Sequence, residues 1–440
     1  MGEGEGLEVG MAGERLSRRT FLRGLAAAAA APYFVPSSVF GVRAPSERVV
    51  VGCIGVGGQG MGNLQSFVAL GQVVAICDVR ESRRAAVKSF VEERYADQMG
   101  QGTYKGCAAY VDFRDIIARD DIDAVSICTP DHWHVLPAIA AARSGKDIFC
   151  EKPLSVTVAE GRALADAVKR HGRVFQHGTQ RRSEHAFRYA CELVRNGRIG
   201  KLHTVRVTSE PSHECPDQPA MQVPKGFDYD RWLGPAPWAP YSDRRVVTPY
   251  WYWIADYTIG FVGGQGVHFT DIAQWGMDAD GTGPIEIEGH GTFPKTGLAD
   301  TATTWHVEMA FANGVKMIYT DDRQYPMGVY FEGTEGTVYA LCAGLDAKPR
   351  SLLTSVIASQ ETHLYPSGGH VHNFIQCVKT RAETAAPVEA AHRATTLCHL
   401  THIAILTGRK LRWDPVQERF TNDPEANRFL SRAMREPWHL

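Results

Sequence analysis

From about residue 49 to residue 177, short apolar runs alternate with stretches whose apolar positions recur every three or four residues. Val49–Ile54, Gln72–Val79, Asp123–Cys128, Asp147–Cys150 and Arg173–His177 read as buried strands, and Ala108–Phe113 as a shorter one. Met61–Leu70, Ser82–Ala96, Val135–Arg143 and Val158–His171 read as the helices between them, with one or two helical turns at Phe113–Ala118. This alternation implies parallel strands joined by right-handed crossovers. Near residue 200 the period changes. Leu202–Ser209 alternates as a half-exposed strand does. Residues 210–266 follow with no period and abundant Pro, Gly, Trp and Tyr. Loops this long are functional or disordered, and the aromatic content argues for order. A helix is expected at His268–Gly276. Ile285–Gly291, Thr303–Phe311, Val315–Thr320, Val329–Glu332 and Val338–Leu341 then alternate as in an antiparallel or mixed sheet. Two helices close the pattern at 370–381 and 388–408. The expected organisation is α/β: residues 45–175 as a parallel-sheet domain and 176–440 as an α/β domain with a large, open, mostly antiparallel sheet.

Chemistry enters at the end of the first strand. Gly55, Val56, Gly57, Gly58, Gln59 and Gly60 form a G-x-G-x-x-G turn between a strand and a helix, the context that a dinucleotide fingerprint requires. The glycines allow a tight turn and a close backbone approach to a pyrophosphate, which the helix N-terminus then holds. Asp78 ends the next strand, 18 residues after Gly60. An acid about 20 residues on suits the ribose 2′-OH of NAD and repels a 2′-phosphate. The expected first domain is therefore a Rossmann NAD(P)-binding domain. Arg80, Arg83 and Arg84 leave NADP open, although a solvated helix start explains them better. Thr129, Pro130 and His134 follow the strand Asp123–Cys128, and Glu151, Lys152 and Pro153 follow Asp147–Cys150. In parallel sheets ligands bind beyond the carboxyl ends of the strands, where all four segments fall.

The totals add limits. Apolar content is 44% and net charge is −2, so nucleic acid is not an expected partner. Seventeen histidines and nine tryptophans hint at a polar site that binds a ring. The ten cysteines show no C-x-x-C and no zinc spacing, and read as small buried hydrophobes. His132 and His134 lack a third ligand at suitable spacing, so no metal is expected. In residues 1–44, Ser17-Arg18-Arg19-Thr20-Phe21-Leu22 precedes the apolar run Leu25–Ala31, which is short for a membrane span. The string is similar to a twin-arginine export signal and implies the twin-arginine machinery as a partner and a periplasmic or otherwise exported location.

Together these strings resemble the Gfo/Idh/MocA family of sugar and cyclitol oxidoreductases. The resemblance rests on Gly55–Gly60, Thr129-Pro130-x-x-x-His134, Glu151-Lys152-Pro153, Gly264–Trp275 (GQGVHFTDIAQW) and Pro387–Pro415, and spans about residues 48–415. It implies NAD as cofactor, a carbohydrate substrate, and a homo-oligomer, dimer or tetramer, formed through the second sheet. It places Lys152 at the reacting oxygen and makes His268 a base. Independently, His268, Asp271, Ile272 and Trp275 share one helical face that should point inward. Gln180 and Arg182, just past the strand ending at His177, are candidate substrate contacts, and Gln180 a cofactor contact as well. Trp251, Tyr252 and Trp253 are candidate sugar-stacking rings or, equally, core. Where the family often carries an aspartate four residues before the histidine, this chain has Gly264, with Asp256 or Asp271 as candidate replacements. Three activities stay open: hydride transfer at a sugar or polyol hydroxyl, glycoside cleavage through transient use of retained NAD, and sugar binding without turnover.

Overall fold

Six parallel strands form the first sheet of the computed structural model, which describes residues 48–99 and 104–440. They are β1 (Val50–Ile54), β2 (Gln72–Cys77), β3 (Ala108–Tyr110), β4 (Ala124–Ile127), β5 (Asp147–Cys150) and β6 (Phe175–His177), in the order β3-β2-β1-β4-β5-β6. This is the doubly wound order of dinucleotide-binding folds, whose ligand crevice opens where the strand order reverses, between β1 and β4. The central strands are buried on both faces, which is why their sequences are continuous apolar runs rather than alternations. The export-signal reading of residues 1–44 lies outside the described residues.

The second sheet has nine strands: β7 (Leu202–Ser209), β8 (Glu286–Thr292), β9 (Thr304–Ala310), β10 (Lys316–Asp321), β11 (Gly328–Gly333), β12 (Thr337–Leu341), β13 (Gly344–Lys348), β14 (Leu411–Asp414) and β15 (Arg419–Phe420). Their order is β13-β12-β11-β7-β10-β9-β8-β14-β15. Only β7 and β10 pair in parallel. One face carries Val205, Val207, Val307, Met309, Met317, Tyr319, Phe331 and Val338 into a core shared with the helices His185–Arg195 and Val267–Gly276. On the other face Glu288, Glu308, Ile318, Arg206, Tyr330 and Tyr339 lie in one cross-strand row.

The chain does not divide cleanly after residue 175. The helix His370–Thr380 returns to the first sheet, where Phe374 meets Phe67 and Phe149 edge-on at 6.1 and 5.8 Å. The long helix Val388–Thr407 places Ala391 in the first core and Ala394, Leu397, Cys398 and Ile403 in the second. All ten cysteines are free thiols; eight are buried as expected, whereas Cys342 is exposed and Cys128 intermediate. The aperiodic stretch folds around Phe227, Tyr229, Trp232, Tyr241, Trp251 and Tyr257, an aromatic cluster in place of regular structure.

Candidate active site

The glycine turn has the geometry its sequence demands. Gly55 has φ of 79°, and a Cβ there would lie 2.5 Å from the Cys128 carbonyl oxygen. A Cβ on Gly60 would lie 2.2 Å from the Gly55 oxygen. The helix that follows, Gly58–Leu70, has no side-chain cap, and Gly58, Gln59 and Gly60 of its first turn line the crevice. Asp78 is buried; Oδ2 accepts from Val56 N–H at 3.2 Å and Oδ1 from Arg80 N–H at 2.9 Å. The Arg83 guanidinium lies 3.4 Å from Asp78, and that of Arg80 stacks 3.9 Å above the Phe227 ring.

These groups line a cavity of about 600 Å³. Gly57, Gly58, Gln59, Asp78, Thr129 and Pro130 form one wall; Trp232, Val247, Thr248, Trp251 and Tyr252 form the opposite one. Volume, uncapped helix and buried ribose-type acid fit a dinucleotide. Asp78→Ala is expected to weaken NADH binding 10-fold or more and to narrow its margin over NADPH, since a hydrogen bond to a charged group is worth about 1.5–3 kcal/mol; fluorescence titration with both nucleotides checks this.

At the next strand ends, Glu151 is buried, accepting from Asn63 Nδ2 at 2.9 Å and from the Lys152 N–H at 3.3 Å. A side chain at Gly178 would collide with this carboxylate, its Cβ 2.7 Å from Oε2. The Lys152 ammonium donates to the Gly264 carbonyl at 2.7 Å and sits 5.6 Å from the Tyr252 ring centroid. His268, four residues beyond Gly264, is buried with Nδ1 unpartnered. Burial first, then the Lys152 charge, pushes its pKa well below the ordinary histidine value, so the ring is neutral. His177 is fully buried with both ring nitrogens unpartnered, and its backbone oxygen takes a 2.7 Å contact from His370 Nε2.

A side chain at Gly264 would begin 3.1 Å from the Tyr252 ring. The place where the family resemblance implies an aspartate is thus crowded by tyrosine, and the lysine donates to the backbone carbonyl there. Asp271 does not replace it. It is buried against Arg182, whose Nε donates to it at 2.9 Å, while the guanidinium's other arm meets Asp280 at 2.7 and 2.9 Å. Burial alone would lower the Arg182 pKa, but the two carboxylates hold it above its ordinary value. Arg182 is thus buried and engaged by two carboxylates, where the sequence leads one to expect a substrate contact. The ring of His134 is likewise committed: Nδ1 lies 2.6 Å from the Pro153 oxygen and Nε2 2.9 Å from the Thr129 oxygen. Burial keeps this ring neutral, so it donates to one of the two carbonyls while lying between the two strand-end loops. Gln180 is exposed beyond β6, outside the cavity lining. Trp251 lines the cavity and stacks on Tyr252 at 3.7 Å, whereas Trp253 is core.

Asp131 carried no role in the sequence reading. It is buried, with Oδ2 accepting from Thr258 Oγ1 at 2.7 Å and Oδ1 unpartnered. Burial pushes its pKa up to about 7. The native state thus keeps a proton that the unfolded chain releases near pH 4, and stability falls as pH rises from about 4 to 7. Asp131→Asn is expected to gain stability over the parent through that window, by at most about 1.4 kcal/mol per pH unit. Urea denaturation of both proteins across the window measures it.

Comparison with known proteins agrees with this geometry. Residues 47–179 match the NAD-binding Rossmann fold of the Gfo/Idh/MocA oxidoreductase family, and residues 215–440 match that family's C-terminal alpha/beta domain. An uncharacterized oxidoreductase of Bacillus subtilis, YrbE, is 27% identical over 67% of this chain and 74% of its own. A myo-inositol 2-dehydrogenase of Thermotoga maritima is 32% identical over 36% of this chain and 44% of its own. The solved levoglucosan dehydrogenase complex with NADH and levoglucosan superposes with a TM-score of 0.57 at 20% identity, over 83% of this chain and 99% of that one. With a parallel nucleotide-binding sheet, a glutamate–lysine–proline turn at its edge and both family domains matched, the chain belongs to the Gfo/Idh/MocA oxidoreductases and binds NAD.

Proposed function

We propose that the protein oxidises or reduces a hydroxyl-bearing carbon of a sugar, polyol or sugar derivative, with Lys152 and His268 handling the hydroxyl proton. NAD, when bound, supplies the hydride acceptor. The observation that carries the reading is the bond from the Lys152 ammonium to the Gly264 carbonyl, which ties the strand-end turn to the segment leading into His268. In the oxidative direction the hydroxyl proton passes to the neutral His268 ring, and the ammonium stabilises charge developing on the oxygen. Neutral His177, the exposed Gln180 and the Trp251–Tyr252 stack offer further polar and ring contacts to a carbohydrate.

The purified protein should be mixed with NAD and a panel of free sugars, polyols and glycosides, with nicotinamide absorbance and products followed together. Accumulation of NADH with an oxidised sugar is expected. A transient signal with a broken glycosidic bond would favour cleavage with retained NAD, the reading that the missing aspartate at Gly264 supports. No reaction with any carbohydrate would sink both.

Two further readings belong with this one. The outward row of the nine-stranded sheet, with Ile318, Tyr330 and Tyr339 beside Arg206, is the expected contact with a second copy; light scattering on the purified chain tests it. The arginine pair Arg18-Arg19 is expected to direct export, tested by replacing both with lysine and following the protein in cell fractions.

A further inference from the structure

The nucleotide cavity has a wall that the family strings do not predict. Val79, Val111 and Phe113, just past β2 and β3 and so on the side of the sheet away from Lys152, line it together with Trp133 and Trp438. Trp438 comes from the opposite end of the chain. Its indole meets Trp133 edge-on at 4.7 Å and Phe113 at 6.4 Å, with the Arg114 guanidinium 5.4 Å from its ring centroid.

The segment that delivers it is fastened at three points. The Leu430 oxygen accepts from Ala159 N–H at 2.9 Å. Arg432 donates to buried Glu160 at 2.6 Å, to the Asp256 oxygen at 3.1 Å and to the His132 oxygen at 3.3 Å. Arg435 donates to the Gly234 oxygen at 3.0 Å, and to the Asp230 carboxylate and carbonyl at 2.6 and 2.8 Å. Ala159 and Glu160 begin a helix of the first sheet, whereas Asp230, Gly234 and Asp256 belong to the aromatic stretch that forms the facing wall. The segment therefore bridges a helix of the first sheet and the aromatic stretch, and its indole is part of the cavity lining.

We propose that residues 430–438 are a strap over the base end of the nucleotide site, that Trp438 packs against the bound base, and that the strap sets how fast the nucleotide leaves. The residue types suit this task. Two arginines reaching backbone carbonyls hold a segment in place without a regular element, and stacking on an aromatic side chain holds any base by its π-face. The proposal requires NAD binding and is independent of the sugar chemistry.

The test uses the full chain loaded with NADH and chased with excess NAD in a stopped-flow fluorimeter. Trp438→Ala removes the ring; Arg435→Gln leaves the ring and loosens the fastening, and covers the case that the first variant folds poorly. Each is expected to raise the NADH dissociation rate about 10-fold or more, with unchanged circular dichroism. Trp438→Phe should recover most of the parent's slow release, which a loss of general packing would not explain. Dissociation rates within twofold of the parent in both Trp438→Ala and Arg435→Gln overturn the strap alone. A parent chain that takes up no NADH overturns it together with the nucleotide assignment.

Discussion

Lys152→Met is expected to lower kcat by roughly 10²–10⁴-fold while leaving NADH affinity within a few-fold of the parent. The size follows from the two tasks proposed for the ammonium at the reacting oxygen, holding developing charge and ordering the proton's path. The selectivity follows from geometry. The Lys152 ammonium points across to the Gly264 carbonyl, whereas the glycine turn, Asp78, Thr129 and Pro130 line the nucleotide cavity without it. Methionine keeps the length and packing of the stem, so the Glu151–Asn63 bond and the strand-end turn should survive. Steady-state kinetics on the substrate found in the panel, with NADH titrated in parallel, make the measurement. A variant that retains more than a tenth of the parent's kcat would remove Lys152 from the chemistry.

Arg182→Met should be the most destabilising single change among the residues discussed, at about 3–5 kcal/mol. The wild-type side chain is 2% exposed and faces Asp271, itself 1% exposed. Removing the guanidinium leaves a buried carboxylate with no counter-charge, and that uncompensated charge, rather than the worth of the ion pair, sets the cost. Asp280 is less buried and can turn to water. Chemical denaturation should show the midpoint moving far down with little change in slope. The double variant Arg182→Met/Asp271→Leu should recover part of the loss, because it removes the stranded charge. A midpoint unchanged in the single variant would return Arg182 to the candidate substrate contact that its place after β6 suggests.

That misplacement of Arg182 marks where the sequence stops being legible. The strands β1, β2, β4 and β5 announce themselves as apolar runs because they are buried on both faces. Strands β8, β9 and β12 do so by alternation, because only one face meets the core, whereas β10 and β11 are buried on both faces along most of their length. The glycine turn is legible because sterics leave no other residue at Gly55 or Gly60. By contrast, the acids that capture Arg182 stand 89 and 98 positions away, and no local pattern links them. Strands β13 and β15 are short edge pieces with polar or isolated side chains, so neither period has room to show. The helix His185–Arg195 went unread although Phe187, Ala190, Cys191 and Val194 carry its period. At the candidate site, Lys152 and His268 stand in strings that the sequence makes legible. The approach of the Tyr252 ring to Gly264 is not legible, because Tyr252 lies 12 residues before Gly264 and belongs to a stretch without period.

The helix Val388–Thr407 bears on how the protein opens. A rod whose residues belong to two cores resists any bending that would part them, since each swing must expose Leu397 and Ile403 or Ala391 to water. Clamshell closure, the usual way for a two-lobed enzyme to admit and seal its ligands, is therefore expensive in this chain. Access should instead depend on the loops that roof the cavity. Hydrogen exchange is expected to show the slowest amides of both sheets opening together, in one global event, with residues 227–257 exchanging orders of magnitude sooner.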